Sequence, residues 1–295
     1  MTAQIISGRE IAKQIRQELR QEITRLKDEH NLVPGLATVL VGGDPASQVY
    51  VGAKVKTCQE LGILSVRRDL PAGTNESTLL ALIDRMNKDS KIHGILVQLP
   101  LPKHINEGNV LMAIDPRKDI DGFHPINKGK LMIGEPDYIP CTPHGIQQLL
   151  LRSGIEIDGA EVVVVGRSNM VGKPIANLLL QKKAGANATV TVCHTGTRDL
   201  AAHTRRADIL IVAAGKAKSI TADMVKEGVV VIDVGVHRIG KTAEGKAILC
   251  GDVDFDGVKE KAKAITPVPG GVGPMTIVML MSNTVKAAKL AAGLA

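Results

Sequence analysis

The chain has 295 residues, 44% hydrophobic and 23% charged: enough for about two domains of roughly 150 residues, and too apolar to be disordered by composition. Two Phe, two Tyr and no Trp leave the core to Val, Ile, Leu, Ala and Met, and argue against a single-stranded nucleic-acid binder, which needs several stacking rings. The net charge of +7 is spread in short pairs such as Arg67-Arg68 and Arg205-Arg206, with no polybasic run, so small anionic ligands are favoured over nucleic acid or a membrane surface.

The opening MTAQIISGREIAKQIRQEL has no long apolar stretch and does not read as a signal peptide. Over residues 7–29, Ile11, Ile15, Leu19, Ile23 and Leu26 recur at steps of three and four and predict an amphipathic helix. Residues 36–41 read as a short buried strand. A Gly-Gly-Asp-Pro loop follows, and Ser47 is the expected N-cap of a helix to about Leu61. A further helix over 77–87 and an apolar strand over 94–99 complete an alternation typical of a parallel α/β domain. Three prolines in 136–143 mark a hinge. A second alternation then begins: strand 162–165, a glycine turn, helix 174–183, and strands over 188–193, 209–213 and 229–234. A Gly/Pro loop over 266–274 leads into an apolar helix, 275–290, with Pro274 suited to its first turn. Cys58, Cys141, Cys193 and Cys250 lie far apart with no C-x-x-C, as expected of reduced thiols in the cytoplasm. No apolar run is long enough to span a membrane.

The run VVVVGRSNMVGKP sets Gly166 at a strand end and Gly172 before a helix, a turn in which backbone N–H groups can meet a phosphate. Ser168 and Val171 stand where a strict G-x-G-x-x-G has glycines, so alone the run is balanced between a nucleotide site and a tight structural turn. The next strand, ATVTVCHTGT, ends in Cys193, His194 and Thr195, with no carboxylate for a ribose 2′-hydroxyl before Asp199. Arg167 can instead face a 2′-phosphate, with Thr195 donating a hydroxyl, which favours NADP over NAD; a solvated loop arginine is the plain alternative.

Tyr50 and Lys54, four residues apart, share a helix face. The Y-x-x-x-K pattern of short-chain dehydrogenases is excluded by order, because there the glycine turn precedes the pair and here it follows. A surface lysine beside a half-buried tyrosine is the plain alternative. Gln98 ends an apolar strand, the usual place for function in open α/β sheets. Asp119 and Asp121 form a D-x-D without further ligands, so a single aspartate reading the N–H edge of a heterocycle is more economical than a metal. GDVDFDG begins like an EF-hand loop, with Asp252, Asp254, Asp256 and Gly257, but Lys263 occupies the position that needs a bidentate glutamate. The histidines offer no H-E-x-x-H, and no metal is expected.

In this order, YVGAKVK, GILVQLPLP, KDIDGFHPIN, PCTPHGI, VVVVGRSNMVGKP, GDVDF and TPVPGGVGPMT resemble the bifunctional methylenetetrahydrofolate dehydrogenase/methenyltetrahydrofolate cyclohydrolase family, over residues 45–276. The resemblance implies two α/β domains around a cleft. Residues 1–140 would form a folate-binding catalytic domain, and 141–273 a Rossmann-type NADP-binding domain with a mainly parallel sheet. Residues 274–295 would be a C-terminal helix packing back on the first domain. It also implies a cytoplasmic homodimer serving one-carbon metabolism, purine and methionine synthesis included. Lys54 is then the catalytic base and acid, Tyr50 packs on the folate, Gln98 supports Lys54, and Asp121 binds the pterin edge. Val97, Leu99, Pro269, Gly270, Gly271, Val272 and Gly273 line the substrate, and Gly166, Arg167, Ser168, Thr195 and Val236 hold the cofactor. His124 and His144 receive no role.

Oxidising a methylene held between two nitrogens needs positioning more than acid–base help, whereas hydrolysing the resulting cation needs a proton shuttle. A buried lysine with cationic neighbours could supply it. The charge of +7 leaves polyglutamylated folates open as substrates. Two other readings compete: a shikimate- or malate-type oxidoreductase, and a nucleotide-sensing module without catalysis. The sensor has no need of Lys54, Gln98 and Asp121 together.

Overall fold

The computed structural model describes residues 3–242, 245 and 247–294. In chain order the elements are β1 (Gln4–Ile5), α1 (Gly8–His30), β2 (Gly35–Val41), α2 (Pro45–Leu61), β3 (Leu64–Leu70), α3 (Glu76–Lys88), β4 (Gly94–Val97), α4 (Glu107–Ala113), α5 (Pro125–Met132) and α6 (Cys141–Arg152). There follow β5 (Glu161–Val165), α7 (Gly172–Leu179), β6 (Thr189–Cys193), α8 (Leu200–Thr204), β7 (Ile209–Val212), β8 (Val230–Asp233), β9 (His237–Lys241), β10 (Ala247–Cys250), α9 (Phe255–Val258), β11 (Ala264–Ile265) and α10 (Val272–Ala291). They make two compact units. One holds the residues up to Lys13 together with Thr142–Thr276; the other holds Gln14–Cys141 and the residues from Ile277 onward.

The unit containing Gln14–Cys141 is built on a parallel sheet in the order β3-β2-β4. Every residue of β2 is buried, because the strand is paired on both sides and covered on both faces. On one face Ala37, Val39 and Val41 pack with Ile95 and Val97 of β4 and with Leu79, Ile83 and Met86 of α3. In α1, Ile15, Leu19, Ile23 and Leu26 form the buried stripe that their spacing predicts. The start of α2 differs from expectation. Asp44 is the cap, accepting from Ser47 N at 2.8 Å, while Pro45 opens the helix and Ser47 is itself buried. Strand β3 carries the exposed or half-exposed Arg67, Arg68 and Asp69 along a sheet edge, and so shows no apolar periodicity. The C-terminal helix α10 joins this unit through Asn283. Its Nδ2 donates to Ile120 O at 2.7 Å and to Ile139 O at 3.0 Å, and Met281 Sδ lies 3.4 Å from Cys58 Sγ.

The other unit contains a six-stranded sheet, β1-β11-β8-β7-β5-β6, in which every pairing is parallel, and a separate antiparallel hairpin, β9-β10. Its order runs outward from β5 in both directions, which opens a crevice at the carboxyl ends of the central strands. Gln4 pairs with Ala264 and Ile5 with Ile265, so the chain start belongs to this unit rather than to the expected 1–140 domain. Residues 1–2 and 295 of the expected domains lie outside the described residues. Helix α7 stops at Leu179, short of the expected Lys183, because the chain turns back and Ala188 N donates to Leu179 O.

Asp119 illustrates how loops in the first sheet's unit are satisfied. Only 2% exposed, it accepts from Phe123 N at 3.1 Å, His124 N at 2.8 Å and Asn127 Nδ2 at 2.7 Å. His124 in turn caps α5, its Nδ1 accepting from Ile126 N at 3.1 Å. Burial pushes the Asp119 carboxyl up to about 6. The folded chain therefore holds this proton more tightly than the unfolded one. The group's stabilising contribution is full below about pH 4 and is lost as pH rises through about 6, a swing of roughly 3 kcal/mol. Urea denaturation of the wild type and Asp119→Asn at pH 4.5 and 7 checks this: the stability advantage of the wild type is expected to be larger at pH 4.5. An advantage that grows with pH contradicts it.

Candidate active site

Helix α2 presents Tyr50 and Lys54 one turn apart; Tyr50 is 44% exposed and Lys54 only 8%. Val97, the last residue of β4, points into the apolar cluster, and strand alternation turns the next side chain, Gln98, to the other face. Gln98 N still donates to Val39 O at 2.8 Å, so the sheet holds its backbone. Lys54 Nζ donates to Gln98 Oε1 at 3.0 Å, while Gln98 Nε2 donates to Leu99 O at 2.7 Å. The amide is thus oriented by its neighbour's carbonyl and turns its oxygen to the lysine.

Asp121 reaches the same place because the segment before it lies along β4. Ile95 N donates to Lys118 O at 2.8 Å, and a carbon added at Gly94 would sit 2.8 Å from the Ile120 side chain. Burial raises the Asp121 carboxyl above its ordinary value, and the positive charge of Lys54 and a hydrogen bond from the Cys141 thiol oppose that rise. The group that faces Lys54 is therefore a buried carboxyl, not the cation expected. Lys54, Gln98, Leu99 and Asp121 come together, with Tyr50 one turn away on α2. Val97 contributes its side chain to the core instead. Cys141, read from the sequence only as a reduced thiol, is the member that sequence reasoning missed. It opens α6 within the run PCTPHGI, to which no role was given.

In the other unit Gly166 has φ +122°, and a carbon added there would lie 2.2 Å from Ala213 O; one added at Gly172 would lie 2.1 Å from Gly166 O. Both glycines are required for the end of β5 to pass this close to the end of β7 and the start of α7. Ser168, which replaces a glycine of the strict fingerprint, uses its hydroxyl to accept from Val171 N at 3.1 Å and Gly172 N at 3.4 Å. At the end of β6, His194 N donates to Thr197 Oγ1 and Gly196 N to His194 Nδ1, a closed turn that leaves Thr195 outside. Arg167, Ser168, Thr195 and Val236 are all exposed at this carboxyl edge. A glycine turn at the topological switch point, a helix N-terminus, an exposed arginine and no carboxylate between the end of β6 and Asp199 fit a dinucleotide bearing a 2′-phosphate.

Pro269, Gly270, Gly271, Val272 and Gly273 belong to this unit too, at the start of α10. The loop is held against the start of α1: Arg9 N donates to Gly270 O at 3.2 Å, and a carbon added at Gly8 would come within 1.8 Å of Gly271 O. The EF-hand-like run contributes one buried structural carboxylate, Asp252. Asp252 accepts from Ala214 N and Gly215 N, and Asp233, which sequence reasoning passed over, accepts from Gly235 N, Asp252 N and Val253 N. Among the described residues no group of His, Cys, Asp and Glu could hold a metal ion.

Two family models match the chain: the catalytic domain of tetrahydrofolate dehydrogenase/cyclohydrolase over residues 6–121, and the NAD(P)-binding domain of the same family over residues 140–292. The bifunctional protein FolD of Syntrophus aciditrophicus is 69% identical over 294 residues, covering 100% of both chains. The solved FolD methylenetetrahydrofolate dehydrogenase/cyclohydrolase of Campylobacter jejuni is 48% identical with a TM-score of 0.91, covering 98% of this chain and 99% of its own. The Trypanosoma brucei enzyme, solved with NADP and an inhibitor, is 39% identical with a TM-score of 0.93, covering 99% of each chain. The chain belongs to the tetrahydrofolate dehydrogenase/cyclohydrolase family.

Proposed function

We infer that the protein oxidises 5,10-methylenetetrahydrofolate with NADP and hydrolyses the 5,10-methenyl product to 10-formyltetrahydrofolate. The observation that carries the reading is the buried Lys54 tied to a neutral, oriented Gln98, with Asp121 beside it. A sensing module without catalysis has no use for that arrangement.

In the oxidation a hydride leaves the carbon bridging two nitrogens, and the positive charge left behind is shared between them. NADP supplies the hydride acceptor when bound. The protein's part is placement. Tyr50 offers the exposed ring for the flat pterin, and the Asp121 carboxyl takes its N–H edge. Amides around Gly166 and the start of α7 meet the dinucleotide phosphates, Arg167 and Thr195 take the 2′-phosphate, and Val236 forms an apolar wall.

In the hydrolysis water adds to the methenyl carbon. Lys54 Nζ takes a proton from that water and returns one to the ring nitrogen as its bond to the carbon breaks, while the remaining hydroxyl proton passes to solvent, leaving the formyl group on the other nitrogen. Gln98 accepts from Lys54 in either protonation state, because it contributes a dipole and no opposing charge. A homodimer and a cytoplasmic location rest on the likeness to the family, and use of polyglutamylated folates rests on the charge of +7. No helix among the described residues is long and apolar enough to cross a membrane.

Replacing Lys54 by Ala is expected to lower methenyl hydrolysis by about 100-fold or more while NADP affinity is kept, read by following methenyl absorbance and by calorimetric titration. Normal hydrolysis by this variant sinks the role of Lys54. Conversely, Gly166→Ala forces a methyl group onto Ala213 O and should weaken NADP binding by about tenfold or more, with methenyl hydrolysis retained. An unchanged NADP affinity contradicts the placement of the cofactor turn.

A further inference from the structure

Strand β6 lies on one side of β5, and β7 and β8 lie on the other. With the 2′-phosphate end at Thr195 and the phosphates at Gly166, the nicotinamide half of the dinucleotide extends over the ends of β7 and β8. One carboxylate ties those two ends together. Asp252, 0% exposed, accepts on Oδ2 from Ala214 N at 2.7 Å and Gly215 N at 3.0 Å, just past β7. On Oδ1 it meets His237 Nε2 at 2.6 Å, just past β8.

Asp252 cannot shift to suit its partners. Its own N–H donates to Asp233 Oδ1 at 2.9 Å, and Asp233 also receives Gly235 N and Val253 N, each at 3.0 Å. A carbon added at Gly235 would fall 2.3 Å from the Asp252 carboxyl, and one at Gly251 1.8 Å from Asp233 Oδ2. In this frame His237 is the member whose side chain reaches the surface: it is 25% exposed and directly follows the exposed Val236. Donation from Nε2 to a buried carboxylate fixes the plane of the ring and turns Nδ1 away from Asp252.

We propose that His237, pinned by Asp252, is a positioning residue for the nicotinamide half of the cofactor. It links the Ala214–Gly215 turn and the Val236 wall into one rigid floor for the ring that receives the hydride. The proposal rests on the NADP-dependent reading above and assigns His237 no part in hydrolysis, which needs no dinucleotide. Gln at this position can carry an N–H donor to about the reach of Nε2, whereas Ala cannot.

The test measures kcat and KM for NADP-dependent oxidation, and separately the rate of methenyl hydrolysis, in the wild type, His237→Ala and His237→Gln. His237→Ala is expected to lower kcat/KM for NADP by about tenfold or more with hydrolysis within about twofold of the wild type, and His237→Gln to recover most of the loss. Unchanged oxidation in His237→Ala, a parallel fall of both activities, or no recovery with Gln overturns the proposal. A wild-type enzyme that hydrolyses the methenyl compound but oxidises nothing with NADP overturns instead the reading on which it rests.

Discussion

The proposed chemistry depends on a hydrogen bond that leaves a buried lysine without a counter-charge on its amide partner. Gln98 spends its Nε2 on Leu99 O, so only its oxygen is available to Lys54 Nζ at 3.0 Å. An apolar residue at position 98 would leave a buried ammonium short of an acceptor, which is costly. A carboxylate would hold the proton on the lysine. The amide avoids both. The surrounding elements keep this geometry: Asp44 and Pro45 fix the start of α2, and the buried β2 anchors Gln98 through Val39 O. One turn beyond Lys54, burial pushes the Cys58 thiol up to about 12, so it stays protonated and serves as packing against Met281.

The buried aspartates divide into two kinds, and the division separates structure from function. Asp119, Asp233 and Asp252 each collect several N–H donors from loops that no secondary structure satisfies, and they thereby replace missing backbone partners. Asp121 has no such backbone donor among the described residues, and it faces Lys54 and the Cys141 thiol. Two residues apart in sequence, Asp119 and Asp121 therefore differ in surroundings: one holds the chain and the other faces Lys54.

Long apolar periodicities are legible in the sequence itself. The stripe of α1, the central strand β2 and the strands β5, β7 and β8 all repeat buried residues at the spacing their geometry requires. Elements decided by distant pairing are not. Strands β1 and β11 are two residues long and exist because they pair across almost the whole sequence, while β3 is an edge strand with charged side chains. Among site residues, Tyr50, Lys54, Gln98 and Asp121 stood in motifs, and spacing on α2 already placed the first two on one face. The roles of Cys141 and His237 escaped notice because each depends on a carboxylate that only folding brings near, Asp121 for one and Asp252 for the other. That a carboxyl rather than a cation faces Lys54 was missed for the same reason.

The most direct test of the account replaces the neutral amide by an acid of the same length. In Gln98→Glu, the pH–rate profile of methenyl hydrolysis is compared with that of the wild type, with NADP affinity measured in parallel. A carboxylate facing Lys54 should hold its proton, lower hydrolysis near neutral pH by about tenfold or more, and move the active limb of the profile to higher pH, with NADP affinity unchanged. An unaltered profile would show that the neutrality of Gln98 does not govern the lysine, and would contradict the account at its centre.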